Sequence, residues 1–303
     1  MFSAPGRFYR GNLHTHSDQS DGSLSAQEVC RRYKAEGYDF ISLTDHFVGL
    51  YNYPVVDTSD CRDQDFTTLF GAELHSGTME NGELWHIVAV GLPLDFAPSH
   101  SPHFAPVPDQ ETGPEIAARA RAAGAFVAIA HPQWLGMSVV DAASLEAAHA
   151  IEVYNHSCAV DADRPDGMHM AEMMLAQGRR LNFIATDDAH FAVPDAFGGW
   201  VMVKAQENSP DALLQALKDG HFYASQGPEL HNIEIEGNKL HVRSSAVERV
   251  IVAGPGSAAV GHYGEDLTEA TMDIRRFKDA AWIRVAVIDK AGKRAWSNPI
   301  WRS

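Results

Sequence analysis

Cysteine is scarce in this 303-residue chain: Cys30, Cys61 and Cys158 are the only three, and none forms a C-x-x-C pair. An odd and sparse set argues against a disulfide framework and fits a reducing compartment. Cys30 falls on a predicted helix and is read as a core residue. Long apolar runs are also missing; none approaches the roughly 18–20 residues of a membrane span. Met1 to Arg7 has neither the basic start nor the apolar centre of a secretory signal, so a cytoplasmic location without a membrane partner is expected. Positive charge is short as well, with 24 Lys and Arg against 40 Asp and Glu and a formal net charge of −16. No basic stripe appears, which argues against long nucleic acid as a partner. A small anionic substrate stays possible, because bound divalent cations reverse a local field. There is no G-x-S-x-G elbow, no phosphate-cradling glycine loop and no internal repeat.

Histidine is abundant. There are 16, and 12 of them precede residue 200. The leading cluster is Gly11-Asn12-Leu13-His14-Thr15-His16, at the end of an apolar run, with Asp21 five residues on. In an extended strand, side chains two apart share a face, so His14 and His16 are expected side by side. Imidazole is the commonest ligand for divalent transition metals.

From residue 8 to about 223, short apolar runs alternate with helical stretches. Strands are expected at 38–43, 67–72, 85–90, 125–130, 150–154, 181–185 and 200–203. Ser25 to Glu28 and Thr112 to Glu115 read as capping boxes, closed by Gly37 and Gly124. Another helix, 211–218, follows Ser209-Pro210 and stops at Gly220. Such alternation predicts an α/β fold of parallel strands with helices outside, closed or nearly closed into a barrel. Reacting groups in such folds collect at strand C-termini. Polar clusters do follow the apolar runs here: Thr44-Asp45-His46, Glu73 with His75, His131-Pro132, Asn155-His156 and Thr186-Asp187-Asp188-Ala189-His190.

Residues 47–66 and 93–111 break the alternation and read as functional lids or mobile segments. His100 and His103, in the second, are read as solvated. Beyond Ser225 the helical pattern disappears. Short alternating stretches separated by turns such as 236–238 and 291–293 predict a small antiparallel sandwich. Division into 1–224 and 225–303 is therefore expected.

Taken in order, His14-Thr15-His16, Ser20-Asp21-Gly22-Ser23, Thr44-Asp45-His46, Glu73, His131-Pro132 and Asp188-Ala189-His190 resemble the PHP (polymerase and histidinol phosphatase) superfamily. The chain is similar to its stand-alone metal-dependent phosphoesterases and hydrolases over about residues 8–223. The resemblance implies a distorted (β/α)7 barrel with two or three metals at its mouth. A first metal would use His14, His16, Glu73 and Asp188. Glu73 would bridge to a second, also held by His131 and a histidine that follows Glu73. A third would use Asp21, His46 and His190; many relatives carry histidine where Asp21 stands. His86, which opens an apolar run as the family's ligand does, is preferred over His75 for the second metal. The spacing to His190 selects Asp188 over Asp187, since i and i+2 share a face.

Imidazole and carboxylate donors suit zinc, manganese or iron(II). Paired metals lower the pKa of bound water, so the expected reaction is attack on phosphorus by a metal-bridging hydroxide. His75, Asn155 and His156 are the candidate substrate contacts. Glu152 is placed either at the mouth or in a structural hydrogen bond, and Asp45 behind a ligand. Arg62 and Arg164 are the candidate phosphate-binding cations. His149, His169 and His221 are read as solvated. The leading expectation is a phosphoesterase acting on a small phosphomonoester or short nucleotide. A carbamate or carboxylic ester hydrolase on the same metals, and a non-catalytic metal-stabilised module, are the alternatives.

Overall fold

In the computed structural model, which describes residues 1–302, ten strands occupy the first three quarters of the chain. They are β1 (Arg7–Asn12), β2 (Phe40–Leu43), β3 (His46–Phe47), β4 (Thr67–Leu74), β5 (Ile87–Val90), β6 (Phe126–Ile129), β7 (Ala150–Asn155), β8 (Asn182–Thr186), β9 (Trp200–Ala205) and β10 (Phe222–Ser225). Helix α1 (Ala26–Ala35) follows β1, α2 (Gly113–Ala122) precedes β6 and α3 (Val139–Ser144) precedes β7. Helices α4 (His156–Ala162) and α5 (Met168–Ala176) join β7 to β8, and α6 (Pro210–Lys218) joins β9 to β10. Strands β2, β5 and β6 are buried at every position. Strands covered on both faces need continuous apolar runs, which is what Phe-Ile-Ser-Leu, Ile-Val-Ala-Val and Phe-Val-Ala-Ile supply.

The helix starts follow the local chemistry. Thr112 and Glu115 close a complete capping box on α2. Ser25 caps α1 by accepting from the Glu28 N–H, but the Glu28 carboxylate turns outward to Arg31 and Arg32, each within 2.9 Å. The reciprocal half of that box is lost to an ion pair.

Strand pairing runs in the order β9-β1-β2-β4-β5-β6-β7-β8. Pairs β1–β2, β2–β4, β6–β7 and β7–β8 are parallel. Strand β5 is antiparallel to both neighbours, and β9 is antiparallel to β1 and β10. The uniformly parallel arrangement expected from the alternation therefore does not hold. The segments 75–86 and 187–199 contain no helix, and a parallel return needs a crossover, usually helical. Just beyond the C-terminal end of β1 the chain is joined to the segment after β8. Thr15 bridges Ala189, His16 N–H donates to Ala189 O at 2.9 Å, and Asp188 N–H donates to His14 O at 2.8 Å.

The remaining strands are β11 (Leu230–Glu236), β12 (Lys239–Ala253), β13 (Ala259–Asp273), β14 (Trp282–Ile288), β15 (Arg294–Ser297) and β16 (Ile300–Trp301). All their pairings are antiparallel, and β15 pairs with β10, so the C-terminal strands continue the same sheet. The boundary expected at 224/225 falls inside hydrogen-bonded structure. A shared apolar core joins Leu240, Val252, Phe277 and Ile283 to Phe2, Phe8 and Met202 from the other part. Asn298 accepts from Phe183 N–H at 2.8 Å and donates to Phe222 O at 2.8 Å, tying β8 to β10. Arg284 on β14 pairs with Glu172 on α5 at 2.6 Å. Among the described residues, no helix is long and apolar enough to cross a membrane.

Candidate metal centre

The polar strand ends converge at one mouth. Leu13, fully buried, anchors the end of β1. His14 and His16 then stand side by side, ring centroids 5.3 Å apart, both fully buried. Thr15 between them is held by Thr44 Oγ1, which accepts from its N–H at 3.1 Å, and by Ala189 O, which accepts from its hydroxyl at 3.1 Å. The H-x-H motif is thus fixed through its middle residue.

Glu73, at the end of β4, lies at the centre. Its carboxylate is 2.8 Å from His86 Nδ1, 2.7 Å from His46 Nδ1, 3.1 Å from His131 Nε2 and 3.6 Å from His14 Nε2. Asp188 lies 2.9 Å from His16 Nε2 and 3.2 Å from His14 Nε2. Its φ of 56° is left-handed, a strained conformation for an aspartate that turns the chain sharply after β8. The extended-strand reason for preferring Asp188 therefore fails, although the residue is in the cluster. His190 follows with its Nδ1–H donated to Asp188 O at 2.8 Å and its Nε2 3.5 Å from Asp21. Asp21 is also 3.4 Å from His46 Nε2.

Four overlapping donor sets result, each with its ligand-type atoms within 4.8 Å: His16-Asp21-His46-His190, His46-Glu73-His75-His86, His14-His16-Glu73 and His14-His131-Asp188. The structure thus brings His14, His16, Asp21, His46, Glu73, His86, His131, Asp188 and His190 together, and adds His75.

The electrostatics follow from burial. Burial alone would lower the His14 pKa, but Asp188, Glu152 and Glu73 outweigh it and raise it well above the ordinary value. His46 behaves similarly: burial opposes protonation, yet Glu73 and Asp21 push it up to about 10. His16 is driven down to about 3 by burial and by His190 and His46. Against the penalty of burial, neighbouring histidines hold Glu73 and Asp188 well below the usual carboxylate range and bring Asp21 to about 2. Buried carboxylates of this kind are costly unless cations face them. Among the described residues, His14 Nε2 and Glu73 Oε2 are buried and make no aligned hydrogen bond, although Asp188 lies 3.2 Å from the first and His46 Nδ1 2.7 Å from the second. Orphaned atoms, buried anions and imidazoles at one point fit divalent cations.

A layer of supporting residues surrounds the cluster. Glu152 accepts from His14 Nδ1–H at 2.7 Å and Thr186 Oγ1–H at 2.6 Å, and its other oxygen accepts from His131 N–H at 2.7 Å and Asn155 Nδ2 at 3.0 Å. It orients His14 from behind, not from the mouth. Asp45 accepts from Ser17 N–H, Ser17 Oγ and Ser20 Oγ, all within 2.8 Å, and so shapes the turn that presents Asp21 rather than an imidazole. Gly22 belongs to that turn; a Cβ there would lie 2.7 Å from the His16 backbone. Asp187 points away from the centre. It accepts from Phe197, Gly198 and Gly199 N–H and from Tyr33 Oη, all within 2.9 Å.

Three expected substrate contacts are used internally. His75 is fully buried; its Nδ1–H donates to Trp85 O at 2.9 Å, which leaves Nε2 as an acceptor 2.9 Å from His46 Nδ1. Asn155 is fully buried, donates to Asp188 and Glu152, and caps α4 through Cys158 N–H at 2.9 Å. His156 faces Tyr154 Oη at 2.9 Å. None of the three lines the pocket at the mouth, about 530 Å³ in volume, whereas Asp21, His46, Glu73, His86, Asp188 and His190 do.

Other wall residues went unread in the sequence: Glu83, Leu84, Phe104, Trp134, Ser157 and Asp161. Phe104 comes from the irregular segment 93–111, whose lack of period was the signal that could have found it. Cys158 also lines the wall, but burial and nearby carboxylates raise its thiol pKa far above the ordinary value, so it stays neutral. Arg62 sits elsewhere, over the Phe70 ring at 4.7 Å, and neither it nor Arg164 reaches the mouth.

An α/β fold with a histidine and carboxylate cluster at its strand ends defines a class of metal-binding proteins. Residues 12–124 match the model of the PHP domain. No curated protein matches the chain in sequence. Among solved structures, it is similar to a two-domain protein from Bacteroides vulgatus, described as containing a predicted PHP-like metal-dependent phosphoesterase. The identity is 17% and the TM-score 0.54, with 95% of this chain and 93% of that one covered. A putative metal-dependent phosphoesterase from Bifidobacterium adolescentis is 12% identical, with a TM-score of 0.45 over 59% of this chain and 87% of that one. An amidohydrolase from Chromobacterium violaceum is 17% identical, with a TM-score of 0.45 over the same shares.

Proposed function

We propose that the protein is a metal-dependent hydrolase acting on a small-molecule ester, with a phosphoester as the leading substrate class. The observation that carries this is the convergence of His14, Glu73, His131 and Asp188 with the surrounding histidines at an open pocket. Two or three divalent ions, zinc, manganese or iron, suit these donors. We assign His14, His16, Glu73 and Asp188 to one ion, Glu73, His86 and His131 to a second, and Asp21, His46 and His190 to a third. When bound, such ions act as Lewis acids and make a bound water acidic enough to ionise near neutrality.

The chain's own residues supply positioning. Glu152 fixes the His14 tautomer with Nε2 facing inward, and Asn155 holds Asp188 by its Nδ2. His75 passes a hydrogen bond from His46 Nδ1–H toward the Trp85 carbonyl, so His46 Nε2 faces Asp21. Buried surroundings exclude water from the backs of the ligands. Hydrolysis of a carboxylic or carbamate ester is the second reading, favoured by the lack of Lys or Arg among the described residues of the pocket wall.

The test is hydrolysis of a phosphomonoester, a phosphodiester and a carboxylic ester before and after chelation. Chelator-sensitive phosphoester turnover supports the leading assignment. Turnover of the carboxylic ester alone transfers support to the second.

A further inference from the structure

We propose that the ester taken by this pocket carries a flat ring, and that its non-reacting part bears no second anionic group; the proposal rests on the hydrolase reading above. Two observations carry it. The first is the pair of aromatic walls. Phe104 and Trp134 are 41% and 42% exposed. Both line the pocket, with Leu84 beside them. Phe104 packs edge-on to His46 at 4.9 Å and Trp134 edge-on to His131 at 5.1 Å, so each aromatic stands against a different part of the cluster. Open aromatic surface beside a polar centre suits a ring that stacks while its ester reaches the histidines.

The second is the sign of the charge beyond the cluster. Among the described residues, Glu83 and Asp161 are the only charged wall residues outside the donor sets, and the wall includes no Lys or Arg. Both are exposed and line the pocket. One anionic group on a substrate can sit at the metal centre. A second phosphate or carboxylate beyond the cluster would meet two carboxylates and no Lys or Arg among the described residues of the wall, whereas an amine or hydroxyl would find acceptors.

The decisive experiment is calorimetric titration of the metal-replete protein with four non-hydrolysable phosphonates: methyl, benzyl, 4-(aminomethyl)benzyl and 4-carboxybenzyl. Benzylphosphonate should bind at least about tenfold more tightly than methylphosphonate, with that gap reduced in Phe104→Ala and in Trp134→Ala. The 4-carboxy compound should bind at least about tenfold more weakly than benzylphosphonate, and the Glu83→Lys/Asp161→Lys double variant should narrow or reverse that difference. Equal binding of all four, preference for the carboxy compound, or no binding of any would overturn the proposal. Turnover of phenyl phosphate and phenyl acetate is measured in parallel. No turnover with the binding order intact would sink the hydrolase reading and leave the subsite preference standing.

Discussion

Glu73 and His14 are the residues on which the centre depends most directly. Both are fully buried; Glu73 faces His14, His46, His86 and His131, and His14 faces Glu73 and Asp188. Glu73→Gln and His14→Ala should each abolish hydrolysis and lower bound metal while leaving the circular dichroism spectrum unchanged; full activity in either would remove the assignment. Glu152→Ala leaves the donors in place but releases His14. Such supporting changes typically cost about 10–100-fold in metal affinity, which competition with a chromogenic chelator would measure. A separate residue-scale prediction concerns His149. Its Nδ1 accepts from Val127 N–H at 3.1 Å and its ring stacks on Phe126 at 5.4 Å, so it is structural rather than merely solvated. Burial, with Arg121 and Lys218 nearby, lowers its pKa to about 4. The folded value lies below the unfolded one, so the contribution is complete above about pH 6.5 and fades as pH falls toward 4. Partial exposure limits it to on the order of 1 kcal/mol. His149→Gln should flatten the fall in melting temperature between pH 6.5 and 4 relative to wild type. His14, His16, His46, Glu73 and His131 stood out in the sequence because each sits in a short motif at or just after a strand, whereas Asp21 lies in a turn and His86 directly precedes β5. Glu152 was left open between the mouth and a structural hydrogen bond, and Asn155 was expected at the substrate; both hydrogen-bond behind the cluster, because sequence spacing cannot tell a side chain facing the mouth from one facing the back of a ligand.

At the scale of elements, strands β2, β4, β6, β7 and β8 and the three marked helices were readable from apolar runs and caps. Strand direction was not. Strand β5 turns back on β4 through a helix-free connection, but β5–β6 and β9–β10 are antiparallel although α2 and α6 lie between them, and loop path is not encoded in periodicity. The turn from Ser17 to Ser23 shows how an element serves the site. Asp45 gathers its hydroxyls and N–H, and Gly22 N–H donates to Ser17 O at 2.9 Å. Gly22→Ala would force a Cβ into the His16 backbone and displace Asp21. One fewer bound ion by elemental analysis is expected, with the ions that depend on Glu73 retained. Unchanged stoichiometry would show that Asp21 is not a ligand.

For the whole molecule, the central question is whether residues 1–224 stand alone. The sequence announces a change of pattern at Ser225, and the strands beyond are indeed all antiparallel. What it could not reveal is that β10 pairs with β15 and that Phe2 and Phe8 reach into the distal core. Removing 225–303 strips a sheet edge and exposes Tyr223, Phe8 and Met202. Exposed apolar area of this kind costs about 25 cal/mol per Å² and leaves an open strand edge. The truncated chain should aggregate or melt well below the full chain in a thermal scan; an equally stable fragment would establish an independent unit. Net charge of −16 and the acidic pocket wall also belong to this scale. They leave bound cations as the means by which an anionic ester could be drawn to the mouth.

The measurement that bears most directly on the account is elemental analysis of the purified wild-type protein beside Glu73→Gln, with phosphoester and carboxylic ester turnover before and after chelation. The account predicts two to three divalent ions per wild-type chain, fewer in the variant, and turnover that chelation removes and metal restores. A wild-type chain that binds no divalent ion, or turns over esters regardless of chelator, would contradict it.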